Sequence, residues 1–391
     1  ADAQFSYSGS DGKKQVLDPN DATNTAFTNG HRDTNEVLNG KATWGFKVGN
    51  FEAISSYRRH ESTTFFTTPL SDTEFNNNAD LDGKKGSRQI VRDEDISTSL
   101  KYKINELFNL SYDFNKTDRE RDPLTRTGWS NPLNYDGHSH RAVLQSIFDR
   151  FILKTGFDYK FNERTPSGNN QGVDVTTKEN IAAFISGDFF ITDRLTLNAG
   201  FRQAWISFSR YDKEKSDTPN AYNAAINYSL FKKDALFFSY QHAFQSPNID
   251  NFFTSVYENS APWGVIGSTF NGFIESMTMD TYSTGYKHID DNLKIKLELY
   301  YSDLKNEMYL EFYDGGGFTA TRNTNYDTSE KYGVELSLYK DFGFFDTNIN
   351  YTYTDTRAKT ATGVYEISGQ PHHVVLASIG KQFTITLLPL Q

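Results

Sequence analysis

The stretch at residues 293–301 alternates apolar and polar side chains at every step, and this pattern constrains the fold more than any other feature. Strict period two predicts a β-strand whose two faces differ in chemistry. One set of positions carries hydrocarbon and the other is mostly charged: Leu293, Ile295, Leu297, Leu299 and Tyr301 against Lys294, Lys296, Glu298 and Tyr300. The pattern alone leaves open which face is the inside of the molecule.

Two further stretches, residues 331–339 and 345–353, repeat the alternation, and short turns connect the three into hairpins. A soluble β-sandwich would also alternate, but its exposed faces rarely hold so many aromatic side chains. The aromatic side chains beside a strongly polar opposite face favour a barrel that is apolar outside and polar inside. We therefore predict an all-β fold, a transmembrane antiparallel β-barrel.

The bulk composition agrees with strands and argues against membrane helices. Charged residues make up 23% of the 391 positions, and no run approaches the about 18 apolar residues that a spanning helix needs. Aromatic residues make up 15%, with 32 Phe and 23 Tyr. This excess fits the aromatic belts at the two edges of a membrane barrel.

The charge balance and the absence of some residue patterns exclude other classes. With 50 acidic and 40 basic residues the formal net charge is -10, which argues against a nucleic-acid partner. There is no cysteine, so disulfides and thiolate metal sites are excluded. No nucleophile-and-base arrangement and no glycine-rich phosphate loop is found, so we do not expect an enzyme.

The lengths of the connections alternate along the whole chain. Counting period-two stretches predicts about sixteen strands, each of about nine to eleven residues, which suits a tilted crossing of the bilayer. Turns of two to four residues alternate with polar loops of about ten to thirty-five residues. Outer-membrane barrels have short periplasmic turns and long external loops, so the asymmetry predicts which end faces outward.

The segment at residues 236–253, LFFSYQHAFQSPNIDNFF, resembles the FRAPNLxELY motif of TonB-dependent outer-membrane receptors. Phe244, Pro247, Asn248 and Ile249 match that motif, whereas Gln245 and Ser246 stand where the family usually has Arg and Ala. Further similarity follows in family order and spacing, and it covers residues 235–383 well. It is found at residues 280–287, 297–307, 331–336, 350–355 and 369–373.

The resemblance implies a 22-stranded barrel in the bacterial outer membrane, closed by an N-terminal plug domain. It also implies uptake of a scarce nutrient, driven by the TonB–ExbB–ExbD complex acting through the plug, with outer-membrane lipid around the barrel. Receptors for siderophores, cobalamin and haem share these motifs. We predict import of an iron-siderophore or a similar large chelate; a cobalamin or haem receptor and a 16-stranded passive porin are the alternatives.

Residues 1–391 are expected to form one barrel domain that is only part of the family's plan. No segment like a plug or a TonB box is found, and about four further strands would follow residues 372–380 in the family. On this interpretation the chain holds about sixteen of the 22 strands.

The loop at residues 245–279 is the richest candidate for ligand contact, because loops on a rigid scaffold often determine specificity. Its aromatic side chains could hold an apolar or planar ligand, and packing within the loop and belt is the alternative explanation. The candidates are Phe252, Phe253, Tyr257, Trp263 and Phe270.

Two patterns in the sequence resemble parts of metal-binding sites. Asn78, Asp80 and Asp82 resemble the first half of a calcium loop, but Gln89 stands where a bidentate Glu would close it. We therefore expect no bound cofactor other than a possible loop calcium, with a solvated acidic loop as the alternative. The histidine pairs, His138 with His140 and His372 with His373, lack a third ligand at metal-site spacing and are expected to be solvated near external loops.

Overall fold

The structure of the protein is a computed structural model that describes residues 2–10, 35–67, 85–124, 132–166, 174–258, 265–314, 318–360, 363–367 and 370–381. Within these ranges the chain forms 22 β-strands and one short 3₁₀ helix. In the same ranges, no helix combines the length and the apolar character needed to cross a membrane.

The long strands follow one another along the chain. They are β1 Asp2–Ser10, β2 Asn35–Val48, β3 Phe51–Thr67, β4 Lys85–Lys103, β5 Phe108–Leu124, β6 Leu133–Ile147, β7 Phe151–Pro166, β8 Thr176–Phe190, β9 Leu195–Arg210, β10 Lys213–Asp217, β11 Asn220–Ser229 and β12 Asp234–Gln245. After the 3₁₀ helix Ile249–Phe252 come β13 Phe253–Glu258, β14 Val265–Phe270, β15 Met277–Ile289, β16 Leu293–Lys305, β17 Met308–Asp314, β18 Phe318–Asn325, β19 Thr328–Asp341, β20 Asp346–Thr360, β21 Gly363–Glu366 and β22 His373–Gly380.

The main sheet has 18 strands, and each long strand pairs antiparallel with the long strands before and after it. Its two outer strands are β1, which pairs with β2, and β22, which pairs with β20. Among the described residues β1 and β22 do not pair with each other. All sixteen strands expected from the sequence are found in this sheet, together with the short β10 and β21.

The two faces of the sheet have the predicted chemistry. On β16, Leu297, Leu299 and Tyr301 lie on the outer face and are 38%, 48% and 40% exposed. On the opposite face the Lys296 ammonium lies 2.6 Å from the Glu298 carboxylate. Because a packed protein interior would bury the apolar row, its exposure rules out the sandwich alternative.

Aromatic side chains form two belts on the outer face. In the belt near the long loops, register pairs Tyr240 with Tyr282, Tyr282 with Tyr301, and Tyr301 with Tyr332 on consecutive long strands. In the belt near the short turns, the ring of Phe148 lies 6.1 Å from that of Phe108 and 4.5 Å from that of Phe151. Two aromatic belts flanking an apolar band are typical of transmembrane barrels.

The strands are longer than the sequence predicted, and three of the expected loops contain strands: 245–279, 304–330 and 357–371, the last of which holds β21. Most strands of the wall have 13 to 19 residues, because backbone pairing continues beyond the apolar band. In those outer parts apolar and polar residue types no longer alternate, so the sequence pattern does not show the strand. Parts of the expected loops 245–279 and 304–330 form a second sheet in the order β14-β13-β18-β17. That sheet joins the two excursions, since Ser255 of β13 pairs with Thr321 of β18.

Candidate functional site

The segment that follows β12 does not project away from the barrel but folds back against the inner face of the wall. Residues 246–253 contain the 3₁₀ helix, in which the Asn251 amide donates to the Asn248 carbonyl at 3.0 Å. The Asn248 amide in turn donates to Oδ1 of the Asn251 side chain at 2.7 Å. We call residues 246–253 the inward segment.

An apolar cluster inside the wall holds the inward segment. Phe252 is completely buried, and its ring lies 5.1 Å from that of Phe208 in an edge-to-face arrangement. Ile249 and Ile206 are 6% and 2% exposed within the same cluster. The inner face is therefore apolar here, because the side chains of β8 and β9 at this place contact protein and not water.

Charged and aromatic groups form a second set of contacts with the inward segment. The Arg164 side chain on β7 is 4% exposed, and its Nε lies 3.0 Å from the Asp250 carboxylate. The Arg164 guanidinium also lies 3.6 Å from the centre of the Phe253 ring. The Tyr135 hydroxyl on β6 donates to Asp250 at 2.9 Å. Burial, followed by the nearby Asp250 charge, raises the pKa of Tyr135 to about 12, so this hydroxyl remains a donor at physiological pH.

Lys178 of β8 forms the third contact. Its ammonium donates to Ser246 Oγ at 2.6 Å and to the Pro247 carbonyl at 2.7 Å, and it lies 5.4 Å from the Phe208 ring centre. Lys178 is the third residue of β8, at the end near the long loops and beyond the apolar band. Burial lowers the pKa of its ammonium to about 8.

A polar cavity of about 840 Å³ lies between the inner wall and the inward segment. Strands β5 to β8 provide one side of the cavity, and residues 244–250 provide the other. The strand side chains that line it include amides and cations: Asn115, Arg119, Arg121, Lys160, Asn162, Lys178 and Asn180. A cavity of this size and polarity can hold a small hydrophilic ligand.

A second cavity, of about 560 Å³, follows the same wall toward the short turns. Asp113 and Asp158 are its acids, and Asp158 forms ion pairs with Arg141, at 3.4 Å, and with Arg202. Asn115, Ser139, Lys160 and Asn180 line both cavities. The two cavities are therefore adjacent parts of one polar groove on the inner wall, with Lys160 where they meet.

The motif residues lie in or next to the inward segment. Ile249 is buried, Pro247 is almost fully buried, and Phe244 packs against the apolar cluster from its edge. Asn248 precedes the 3₁₀ helix and lines the larger cavity. The motif thus lies where the chain turns from β12 into the barrel.

The proposed ligand-contact residues have different positions. Phe252 and Phe253 are 0% and 7% exposed, so packing accounts for both in this structure. Phe270 is half-buried, with the Arg210 guanidinium 4.4 Å from its ring centre. Tyr257 lies on β13, where its backbone pairs with Val265 and Thr319, and Trp263 lies outside the described residues. Ligand contact by any of these five residues stays a prediction.

The calcium candidates Asn78, Asp80 and Asp82 lie outside the described residues. Among the residues that the structure does describe, no group of three or more His, Asp and Glu side chains could hold a metal ion. A calcium site in the 68–84 loop therefore stays a prediction.

The histidines are more ordered than the sequence indicated. His138 and His140 do not lie in a loop but on β6, in the outer aromatic belt, with ring centres 5.6 Å apart. His140 Nδ1 is 2.7 Å from the Tyr112 hydroxyl. His372 Nε2 is 2.7 Å from a Glu366 oxygen, and His373 lies 5.1 Å from the Tyr353 ring. The period-two rule could have predicted that His138 and His140 lie on the same outer face as the aromatic residues of β7, because alternate residues of a strand share a face.

Sequence reasoning did not identify Tyr135, Arg164, Lys178 or Asp250 as functional candidates. The first three lie at inward-facing positions of β6, β7 and β8, in parts that were expected to be loop or strand end. The sequence did indicate that these three residues lie on the polar face of their strands. Their common contact with Asp250 or its neighbours depends on how the inward segment folds back, which the sequence pattern does not show.

The architecture is that of a transmembrane antiparallel β-barrel wall with a polar interior and long connections at one end. The chain belongs to the TonB-dependent receptor family, since the family model described as "TonB dependent receptor-like, beta-barrel" matches residues 2–383. It is accordingly a β-barrel protein of the bacterial outer membrane.

Individual relatives agree with this assignment. A Haemophilus influenzae protein named "Probable TonB-dependent receptor" is 30% identical over 190 residues, which cover 43% of this chain and 20% of that protein. The FrpB iron transporter from Neisseria meningitidis, F3-3 variant, superposes with a TM-score of 0.71 at 13% identity, over 97% of this chain and 62% of its own. The siderophore receptor PirA from Acinetobacter baumannii superposes with a TM-score of 0.69 at 13% identity, and the match covers 98% of this chain and 60% of the PirA chain.

The copper transporter OprC also has this fold, with a TM-score of 0.66 at 15% identity over 83% of this chain and 53% of its own. At these identities the solved structures establish the shared fold. The chain spans 20% of the curated relative and 53% to 62% of these three solved chains.

Proposed function

We propose that this protein is the barrel part of a receptor that imports an iron-siderophore or a similar large metal chelate. The family match over residues 2–383 carries the proposal. Solved proteins of the same fold are named as an iron transporter, a siderophore receptor and a ferric yersiniabactin uptake receptor, which supports iron chelates as the substrate class. The polar groove on the inner wall offers a hydrophilic surface along which such a ligand could be bound.

The energy source in this proposal is the TonB–ExbB–ExbD complex, acting through a plug domain inside the barrel. The exposed strands β1 and β22 support the further proposal that additional strands complete the wall to 22. Unpaired backbone groups at a sheet edge are costly in hydrocarbon, so these edges need partners in the membrane. We propose no enzymatic activity for the barrel.

Copper import is the second candidate, because the copper transporter OprC has the same fold. Cobalamin and haem remain further substrate classes to be tested. Passive diffusion through a porin is the competing mechanism, and it differs from the proposal in requiring no energy source.

The test is uptake of radiolabelled iron-siderophores, copper, cobalamin and haem by a strain that lacks the gene, with and without a plasmid copy. We expect the plasmid to restore uptake of an iron-siderophore, and a protonophore to abolish it. Restored uptake that persists with the protonophore would establish the porin mechanism. Restoration of none of the four substrates would reject nutrient import.

A further inference from the structure

Two lysine ammonium groups on the inner wall, those of Lys160 and Lys178, form no ion pair with any carboxylate of the described residues. Lys160 of β7 is exposed to both cavities of the groove, and among the described residues no carboxylate forms an ion pair with it. Lys178 has two oxygen partners, Ser246 Oγ and the Pro247 carbonyl, and neither carries a charge. The Lys160 charge further lowers the pKa of Lys178, and the Asp217 carboxylate acts in the opposite direction. Asp217 accepts a hydrogen bond from Ser276 at 2.6 Å and forms no ion pair with Lys178.

Three acids line the larger cavity, Asp136, Glu163 and Asp250. Glu163 accepts a hydrogen bond from the Thr165 hydroxyl at 3.1 Å, and the other two are paired with cations. Asp250 is bound by Arg164 and Tyr135, and Asp136 lies 3.7 Å from Lys116, which is on the outer face.

Arg119 and Arg121, on the same wall, add two further cations. The first is paired with Asp93 at 2.6 Å, and the guanidinium of the second faces the Gln89 side-chain amide. Four cations therefore line the cavity against three acids, and two of these acids, Asp136 and Asp250, are paired with cations outside the lining, Lys116 and Arg164. The balance at the cavity surface is positive.

Amide side chains lie on the wall beside these cations. Asn162 of β7 is paired in register with Lys178 of β8, and Asn180 of β8 is paired in register with Lys160 of β7. Side-chain amides can donate to an oxygen that a lysine neutralises. Cations flanked by neutral donors, in a concave site of about 840 Å³, form a suitable environment for a small oxyanion.

We propose that Lys160 and Lys178 form an oxyanion-binding site on the inner wall, which takes a carboxylate or phosphate group of a small hydrophilic ligand. Lys160, where the two cavities meet, would hold the anion, and Lys178 would provide the second charge beside the inward segment. This inference deepens the proposed function and rests on it for a role in import. The binding itself does not require transport.

The test uses the full chain in detergent micelles and isothermal titration calorimetry with citrate and, separately, inorganic phosphate. We expect both probes to bind, with affinity that falls as salt rises because the contact is ionic. Lys160→Gln and Lys178→Gln should each weaken citrate binding by about tenfold, since each removes one charge-assisted contact. Binding of citrate alone would define a site for carboxylates, and binding of phosphate alone a site for phosphates.

Lys154→Gln is the matched control, because Lys154 lies on the same strand and face as Lys160 but lines neither of the two cavities. It should bind both probes as the parent does, and Lys160→Arg should retain binding. The heat-dependent gel mobility typical of folded barrels checks that each variant is folded. No binding of either probe by the parent, or parental affinity in folded Lys160→Gln, would overturn the site. Neither result affects the transport assay, so failure of the site and failure of the proposed function can be told apart.

Discussion

Arg164 on β7 and Asp250 in the inward segment form an ion pair in which Nε lies 3.0 Å from Oδ1, although the two side chains differ greatly in burial. The Arg164 side chain is 4% exposed and that of Asp250 is 50% exposed. The arginine therefore depends on its partner, because a buried guanidinium without a counter-ion is costly. This contact is one of three that hold the inward segment against the wall, and its Asp250 side lines the larger cavity.

The first prediction concerns that ion pair. Asp250→Asn should lower the free energy of unfolding by about 1–2 kcal/mol, because it leaves the buried Arg164 guanidinium without a counter-ion. The loss is moderate because the Asp250 side chain is half exposed, so that water already screens its interaction with Arg164. Urea denaturation in detergent measures this change. Asp193→Asn is the control, because Asp193 is fully exposed and 4.0 Å from Arg150. Equal effects of the two substitutions would contradict a stabilising role for the Arg164–Asp250 pair.

The second prediction separates packing from ligand contact at Phe252. Truncation of this fully buried ring in Phe252→Ala should cost about 3–5 kcal/mol of unfolding free energy through loss of transfer energy and creation of a cavity. Phe312→Ala provides the comparison, since that ring is 69% exposed on β17 and its removal should change stability by less than about 0.5 kcal/mol. If Phe252→Ala leaves stability intact but reduces ligand affinity, the ring is a ligand contact and not a packing residue.

The third prediction concerns pH. Because burial lowers the pKa of Lys178 to about 8 from 10.5, the unfolded chain binds more protons than the folded chain between these values. Lys178 therefore makes the folded protein more stable as pH rises from about 8 to about 10. Anion binding should weaken over the same pH range, because the Lys178 ammonium loses its proton and its charge.

The matched pair Lys178→Met and Lys154→Met tests this linkage. Urea midpoints measured from pH 7 to pH 10 should show a smaller pH-dependent rise in Lys178→Met than in the parent, whereas Lys154→Met should follow the parent. The same slope in all three proteins would show that the Lys178 ammonium is not shifted in the folded state.

The fourth prediction tests which face contacts lipid. Leu299→Lys places a charge on the outer face and should lower the free energy of unfolding by about 2–4 kcal/mol, as charges do near the middle of the bilayer. Thr352→Lys places the same charge on the inner face, where the register pairs Thr352 with Glu335, and should be tolerated. Unfolding from lipid vesicles measures both substitutions, and equal tolerance of the two would argue against a lipid-facing apolar row.

The fifth prediction concerns calcium. If the 68–84 loop binds calcium through Asp80 and Asp82, millimolar calcium should raise the melting temperature of the parent, and Asp80→Ala with Asp82→Ala should remove that rise. The absence of a calcium effect in the parent would eliminate the site.

Period-two alternation, turn length and the motif around Pro247 were sufficient to predict the barrel, its two faces and its family. Each of these features is local, because the side-chain direction of a strand residue depends only on its parity, and a tight turn needs only a few residues. Parity places Lys296 and Leu297 on opposite faces, and the many aromatic side chains favoured the outer face for Leu297. The structure confirms both positions.

The tertiary structure alone decided that the segment after β12 folds inward, that residues from two expected loops share a second sheet, and that Lys160 and Lys178 meet at one cavity. These arrangements depend on registers between strands far apart in the chain and on the burial of Phe252 against Phe208. The sequence by itself determined which way each strand residue points, whereas the packing of distant segments determined which of those residues meet. That packing depends on the whole chain. Burial of Phe252 and pairing of Asp250 are favourable only when β7, β8 and β9 are paired as neighbouring strands, because these strands carry the contacting side chains.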